Sequence, residues 1–263
     1  MSTWQDRVVV VTGASAGIGA CLAEQIAAKG GKQVLLARRD KELSEVAGRC
    51  GEDALAVVAD VTRREDLSRA LEAAIERFGH VDVWVNNAGR GISRPVSELT
   101  DEDFDEMMLV NTKSVLWAMQ TVLPHYRERG AGHIVNVSSL LGRLPLAPIR
   151  SAYSAAKHAL NALSSSLRLE LRDTDPGIHV SVVSPGVVAT EFGLRARHGG
   201  YDSRGMPGAQ SPEEVAEVIV DVIEHPRADA YTRPIYRDLV ASYYAAEDLG
   251  ARESLPPFGP PKG

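Results

Sequence analysis

Short, nearly continuous apolar runs recur along the chain. They are Val8-Val9-Val10-Val11, Gln33-Val34-Leu35-Leu36-Ala37, Ala56-Val57-Val58-Ala59, Val81-Asp82-Val83-Trp84-Val85, His133-Ile134-Val135-Asn136-Val137 and His179-Val180-Ser181-Val182-Val183. A strand with one wet face alternates apolar and polar residues. Runs this continuous predict strands covered on both faces, as in a parallel sheet. Between them lie stretches of helical character. Residues 17–29 are closed by Gly30-Gly31, and residues 62–78 open with a candidate cap at Thr62 and stop at Gly79. Residues 101–129 and 152–172 are longer helical stretches. Ala230-Tyr231-Thr232 is a further candidate strand, and residues 236–246 a candidate helix. The alternation predicts an α/β fold: a doubly wound parallel sheet of about seven strands, with helices on both faces and right-handed crossovers.

Residues 1–255 read as one domain. Residues 191–211 break the rhythm with Gly193, Gly199, Gly200, Gly205, Pro207 and Gly208; an irregular insertion of this kind in a compact domain reads as a lid over a site. Residues 256–263, rich in proline and glycine, read as a flexible tail.

The chain has 263 residues, 44% of them hydrophobic, so it can bury a sizeable core. Its net charge of −6 argues against nucleic acid as a partner. The two cysteines, Cys21 and Cys50, form no C-x-x-C pair and have no histidine at ligand spacing, so they read as free thiols and no metal site is expected. The first residues lack the apolar core of a signal peptide, and no apolar run approaches the roughly 20 residues that span a bilayer. A soluble, cytoplasmic protein is the expectation. Asn136-Val137-Ser138 matches a glycosylation acceptor but lies within a strand-like run, and it reads as chance.

Candidate chemistry starts directly after the first run. Thr12-Gly13-Ala14-Ser15-Ala16-Gly17-Ile18-Gly19 joins a strand to a helix. Pyrophosphate is stabilised by unpaired N–H groups at a helix N-terminus, and glycine lets the backbone approach it. The spacing is G-x-x-x-G-x-G. At the end of the second run an acidic residue would accept a ribose 2′-hydroxyl, but the sequence has Ala37-Arg38-Arg39. Guanidinium pairs with a 2′-phosphate, which predicts NADP(H), with Arg38 as the chief contact and Arg39 beside it. The alternative is two solvated arginines. Asp60-Val61, after the third run, falls where an adenine ring would lie.

Tyr153 and Lys157 are four apart at the start of a helical stretch, on one helix face. A free phenol titrates near 10, and lowering that by about three units takes roughly 4 kcal/mol of preferential phenolate stabilisation. A neighbouring ammonium in a low-dielectric cleft can supply much of it. Tyr153 would then protonate a carbonyl oxygen during reduction and reclaim the proton during oxidation. The alternative is an ordinary amphipathic pair.

Taken together, these motifs resemble the short-chain dehydrogenase/reductase family, in its single-domain, NADP(H)-preferring branch with a Rossmann-type sheet. The likeness covers about residues 7 to 190. Thr12-Gly13-x-x-x-Gly17-Ile18-Gly19 is similar to its cofactor turn, and Asn86-Asn87-Ala88-Gly89 to the fourth-strand motif beside the nicotinamide ribose. Pro185-Gly186, followed by Val188 and Thr190, resembles the segment that holds the nicotinamide carboxamide. The resemblance implies a tetrad of Asn111, Ser139, Tyr153 and Lys157. Ser139 would hydrogen-bond the substrate oxygen, Lys157 would also hold ribose hydroxyls, and Asn111 would help a water relay protons. Ser139 is preferred to Ser138 because the family serine lies three residues before a glycine, here Gly142. The Ser139–Tyr153 spacing is fourteen where the family more often has thirteen, which leaves the pocket edge open.

The implied activity is hydride transfer between NADP(H) and a carbonyl compound or secondary alcohol. Ser139, Leu140, Leu141, Leu146 and Phe192 are candidates to touch that substrate, and a homodimer or homotetramer is expected. Arg90, Arg94, Arg143, Arg150, Arg195 and Arg197 lie in nearby loops, either to meet an anionic substrate or as a solvated rim. The alternative function is a catalytically silent NADP(H)-binding sensor or scaffold on the same fold.

Overall fold

A computed structural model describes residues 4–258. All the apolar runs form strands: β1 (Val8–Thr12), β2 (Lys32–Ala37), β3 (Ala54–Val58), β4 (Val83–Asn86), β5 (Gly132–Val137), β6 (Ile178–Ser184) and β7 (Asp229–Tyr231). They make one seven-stranded sheet in the order β3-β2-β1-β4-β5-β6-β7, with every neighbouring pair parallel. This is the doubly wound architecture that the alternation predicts.

The sheet is apolar on both faces because successive side chains point opposite ways. Val9, Val11, Leu35, Val83 and Val85 pack with α1 (Gly17–Ala28), α2 (Asp40–Cys50) and α7 (Pro212–Glu224). Val10, Val34, Leu36, Trp84 and Ile134 pack with α3 (Arg64–Phe78), α5 (Ser114–Arg129) and α6 (Ser151–Leu171). Each large apolar side chain buried this way contributes about 1.5–3 kcal/mol.

Several boundaries differ from the sequence pattern. β3 starts two residues before Ala56 and is only half-buried, because it is the edge of the sheet. β4 starts at Val83 rather than Val81: the Asp82 carboxylate accepts from Val8 N at 2.8 Å and pairs with Arg129 at 3.0 Å. α3 starts at Arg64, since the Thr62 hydroxyl donates to Asp60 Oδ1 at 2.7 Å instead of capping the helix. Residues 101–129 are not one regular helix. α4 (Asp101–Met108), opened by a Thr100–Asp103 capping box, runs into a π turn (Leu109–Lys113) and then α5.

α2, α7 and a short α9 (Leu249–Glu253) lie outside the expected set. α2 buries only Leu43, Val46 and Ala47, a stripe too narrow to stand out from its charges. α8 (Pro234–Tyr244) lies two residues before the expected position. Of the segment expected as a tail, Phe258 docks its ring 5.1 Å from Tyr243, and residues 259–263 lie outside the described residues. Among the described residues, no helix is long and apolar enough to cross a membrane.

Candidate active site

The strand order reverses between β1 and β4, so the carboxyl ends of β1, β4, β5 and β6 open a crevice there. On its β1 side the glycine turn is packed backbone to backbone. Gly13 and Gly17 have φ of +69° and +55°, which favour glycine. A Cβ on Gly19 would stand 2.4 Å from Gly13 O and 2.6 Å from Asn87 Nδ2. Asn87 ties the two strand ends together: its Nδ2 donates to Thr12 O at 2.9 Å, and the Asn87 and Ala88 N–H groups both donate to Thr12 Oγ1 at 3.0 Å. No side chain caps the first turn of α1. The turn therefore offers what a pyrophosphate needs: close backbone, free N–H groups and a helix dipole. Gly17 faces the Thr190 methyl group, so the segment after β6 borders the same cradle.

At the end of β2 the two arginines part. Arg38 is exposed and faces Asp60 at 3.8 Å. Arg39 lies against the turn, donating to Ser15 Oγ at 3.0 Å and pairing with Glu42 at 2.8 Å. Asp60 accepts from Thr62, and Val61 packs at the margin of the core. Pro185 O accepts from Leu140 N, and Gly186 N donates to Gln210 Oε1 at 3.3 Å. Val188 bridges to Gln210.

The four tetrad candidates converge where β4, β5 and α6 meet. Ser138 N donates to Val183 O, so it belongs to the strand ladder and its buried hydroxyl finds no partner. Ser139 accepts from Leu141 N at 3.1 Å, and its hydroxyl favours the charged form of Tyr153. Lys157 Nζ donates to Val137 O at 2.8 Å and lies 5.7 Å from the Tyr153 ring centroid. Asn111 sits in the π turn, a departure often found at functional sites. Its side chain accepts from Arg90 N at 3.1 Å and donates to Arg90 O at 2.9 Å, in the loop after β4, and to Met107 O at 3.0 Å on its own helix. A Cβ on Gly89 would stand 3.0 Å from Asn111 Oδ1 and 3.9 Å from Lys157 Nζ, so the bare glycine keeps the corner between them open.

The electrostatics depart from the expectation drawn from spacing. Burial pushes the Tyr153 hydroxyl up to about 12, against smaller pulls from Ser139 and the Arg150 charge. Burial also pushes the Lys157 ammonium down to about 8. The spacing predicts a phenol lowered by its lysine; in the chain without its cofactor, desolvation dominates at both groups.

The substrate candidates divide. Phe192 meets the Tyr153 ring edge-on, with centroids 5.6 Å apart, and Leu141 packs with Ile92, Met107 and Tyr153. Leu140 and Leu146 do not join them. They pack with Leu144, Tyr236 and Tyr243, because α8 needs an apolar surface to dock on. Two residues without any sequence signal enter here. Tyr236 brings its hydroxyl to within 2.4 Å of where a Gly186 Cβ would stand. Gln210, fully buried, accepts from Thr232 Oγ1 at 2.6 Å and pins the end of the 191–211 loop. That loop is tied down at its middle as well: Arg197 pairs with Asp103 and Glu106, and His198 contacts Asp103 at 2.7 Å.

Residues 7–199 match the family of short chain dehydrogenases. The chain belongs to that family. The dehydrogenase is 36% identical over 203 residues to an uncharacterized oxidoreductase of Staphylococcus epidermidis, covering 75% of this chain and 87% of that protein. A short chain dehydrogenase/reductase of Burkholderia phymatum in complex with NAD superposes with a TM-score of 0.85 at 25% identity, covering 100% of this chain and 99% of that one. A short chain dehydrogenase of Burkholderia cenocepacia in complex with NADP gives 0.78 at 27% identity, covering 94% and 96%. The dehydrogenase is thus an oxidoreductase on a nicotinamide-binding fold.

Proposed function

We propose that the dehydrogenase is an NADP(H)-dependent reductase of carbonyl compounds, with Tyr153 as the proton donor. One observation carries the reading: a buried phenol stands beside Lys157 and Ser139 at the edge where the glycine turn opens. A bound dihydronicotinamide supplies the hydride. Tyr153 donates its proton to the carbonyl oxygen, and Ser139 orients that oxygen. A hydroxyl held near 12 stays protonated at neutral pH, so it serves reduction as it stands. Alcohol oxidation runs back through the phenolate, the form that burial disfavours in the chain without its cofactor.

Lys157 steadies the phenolate left behind while it keeps its charge. Its pKa is depressed to about 8, so it is charged below that pH and neutral above. The reduction rate is expected to be level below pH 8 and to fall above it. The basic pair supports NADP(H) over NAD(H). The ribose 2′-phosphate would draw Arg38 from Asp60 and Arg39 from Glu42, with Ser15 Oγ beside it. The family's other known partners in the crevice map to Asn87, Ala88 and Gly89 and to the segment from Pro185 to Thr190. The loop 191–211 serves as the lid.

Tyr153→Phe is the test. NADPH oxidation with a panel of ketones is expected to fall by about 10³-fold, while NADPH fluorescence titration gives an unchanged affinity. Retained turnover in that variant sinks the assignment.

A further inference from the structure

Of the six arginines singled out in the sequence, five pair with a carboxylate. Arg90 pairs with Glu106, Arg94 with Asp103, Arg143 with Asp229, Arg195 with Glu191, and Arg197 with both Asp103 and Glu106. Arg150 pairs with none among the described residues, although only 8% of its surface is exposed. Among the described residues its guanidinium makes one hydrogen bond, from Nη1 to Ile92 O at 3.1 Å. Burying a guanidinium with a counter-charge can break even, whereas burying one without is expensive, and a guanidinium cannot escape by giving up its proton.

Glycine backbone lies close around Arg150. A Cβ at Gly91 would stand 3.3 Å from its Nη1, and Cβ atoms at Gly200 and Gly193 would stand 3.1 Å and 3.6 Å from its Nη2. Three bare glycines thus wall the guanidinium, with the Tyr201 ring 5.7 Å away. The same Gly91 position lies 2.9 Å from the Phe192 ring, which meets Tyr153 edge-on. Arg150 and Phe192 therefore meet at Gly91, Phe192 meets Tyr153, and Arg150 is close enough for its charge to favour the Tyr153 phenolate.

We propose that Arg150 is the anion-recognising residue of the substrate pocket and that the substrate is an oxo acid, its carboxylate held by the free edge of the guanidinium. The proposal rests on the reductase reading above. The carbonyl carbon takes the hydride of NADPH and its oxygen takes the Tyr153 proton, leaving a hydroxy acid and NADP⁺. The carboxylate is unchanged and supplies the missing counter-charge. A planar carboxylate matches the planar fork of the guanidinium.

The test compares NADPH oxidation by short-chain oxo acids with that by their methyl esters, which needs no variant. Wild type is expected to favour the acids by about 100-fold in kcat/KM, and Arg150→Met to bring the ratio close to one, with Arg150→Lys between them. A purely structural role for Arg150 would lower both rates and leave the ratio untouched. Equal rates for acid and ester in wild type, or an unchanged ratio in the Met variant, overturn the proposal. Turnover of neutral ketones without preference for acids overturns it while leaving the reductase reading intact. If no carbonyl compound is reduced, that reading fails, and binding decides Arg150 separately. Malonate should then raise the thermal midpoint of the wild-type protein and not of Arg150→Met; equal shifts, or none in either, overturn it.

Discussion

The glycine turn after β1 and the loop 191–211 are both irregular, both rich in glycine and both flank one crevice, yet different forces hold them. In the turn, backbone meets backbone: Gly19 has no room for a Cβ, and Asn87 and Thr12 lock two strand ends together. The loop is fastened mainly by side chains. Arg197 and His198 reach the fully buried carboxylate of Asp103, and Gln210 anchors the far end. Several of its glycines, Gly199, Gly205 and Gly208, have open space where a Cβ would be. Close packing fixes a single geometry, while a few ion pairs can be released and remade. The dehydrogenase thus has a close-packed glycine turn on one side of the crevice and a loop fastened by releasable side-chain contacts on the other.

The sharpest way to break this contrast is Gly19→Ala. Overpacking the turn is expected to cost about 3 kcal/mol, close to 10 °C in the thermal midpoint, and to abolish measurable NADPH binding in fluorescence titrations. Replacing Arg38 and Arg39 together by alanine tests the cradle's charge alone: preference for NADPH over NADH should fall by about 50-fold in kcat/KM, with the midpoint unmoved. Asp103→Asn acts on the other side. It removes the charge shared by Arg94, Arg197 and His198, so KM for the carbonyl substrate should rise by about 10-fold and proteolytic nicking within 191–211 should quicken. NADPH affinity should not follow; if it does, the two regions are not independent. Gly205→Ala gives the smallest effect, within about 0.5 kcal/mol, because nothing stands near the added methyl.

The cradle was legible in the sequence for the reason that makes it rigid. A close backbone approach demands glycine at fixed spacing, and a strand buried on both faces demands an unbroken apolar run. The Tyr153–Lys157 pair was equally plain, because four residues on a helix fix a shared face. What stayed hidden depends on which distant groups meet. Arg39 lies against Ser15 while Arg38 points outward, a choice made by the start of α2. Leu140 and Leu146 look like pocket residues, but α8, distant in sequence, claims them as its docking surface. The arginines of the rim look alike in the sequence, and only the positions of Asp103, Glu106, Glu191 and Asp229 separate Arg150 from the others. The direction of the Tyr153 shift was hidden as well, since burial acts through the whole enclosure rather than through one neighbour.

The π turn at Leu109–Lys113 acts as a phase change in the longest rod of the molecule. One added residue rotates everything beyond it by about 100° around the axis. Asp103 can therefore grip the loop over the crevice while Val115, Ala118 and Val122 lie flat against the sheet. Deleting a single residue there would straighten the rod and swing the carboxylate pair out of register with Arg197, and it would displace Asn111 from its place beside Gly89 and Lys157 at the same time.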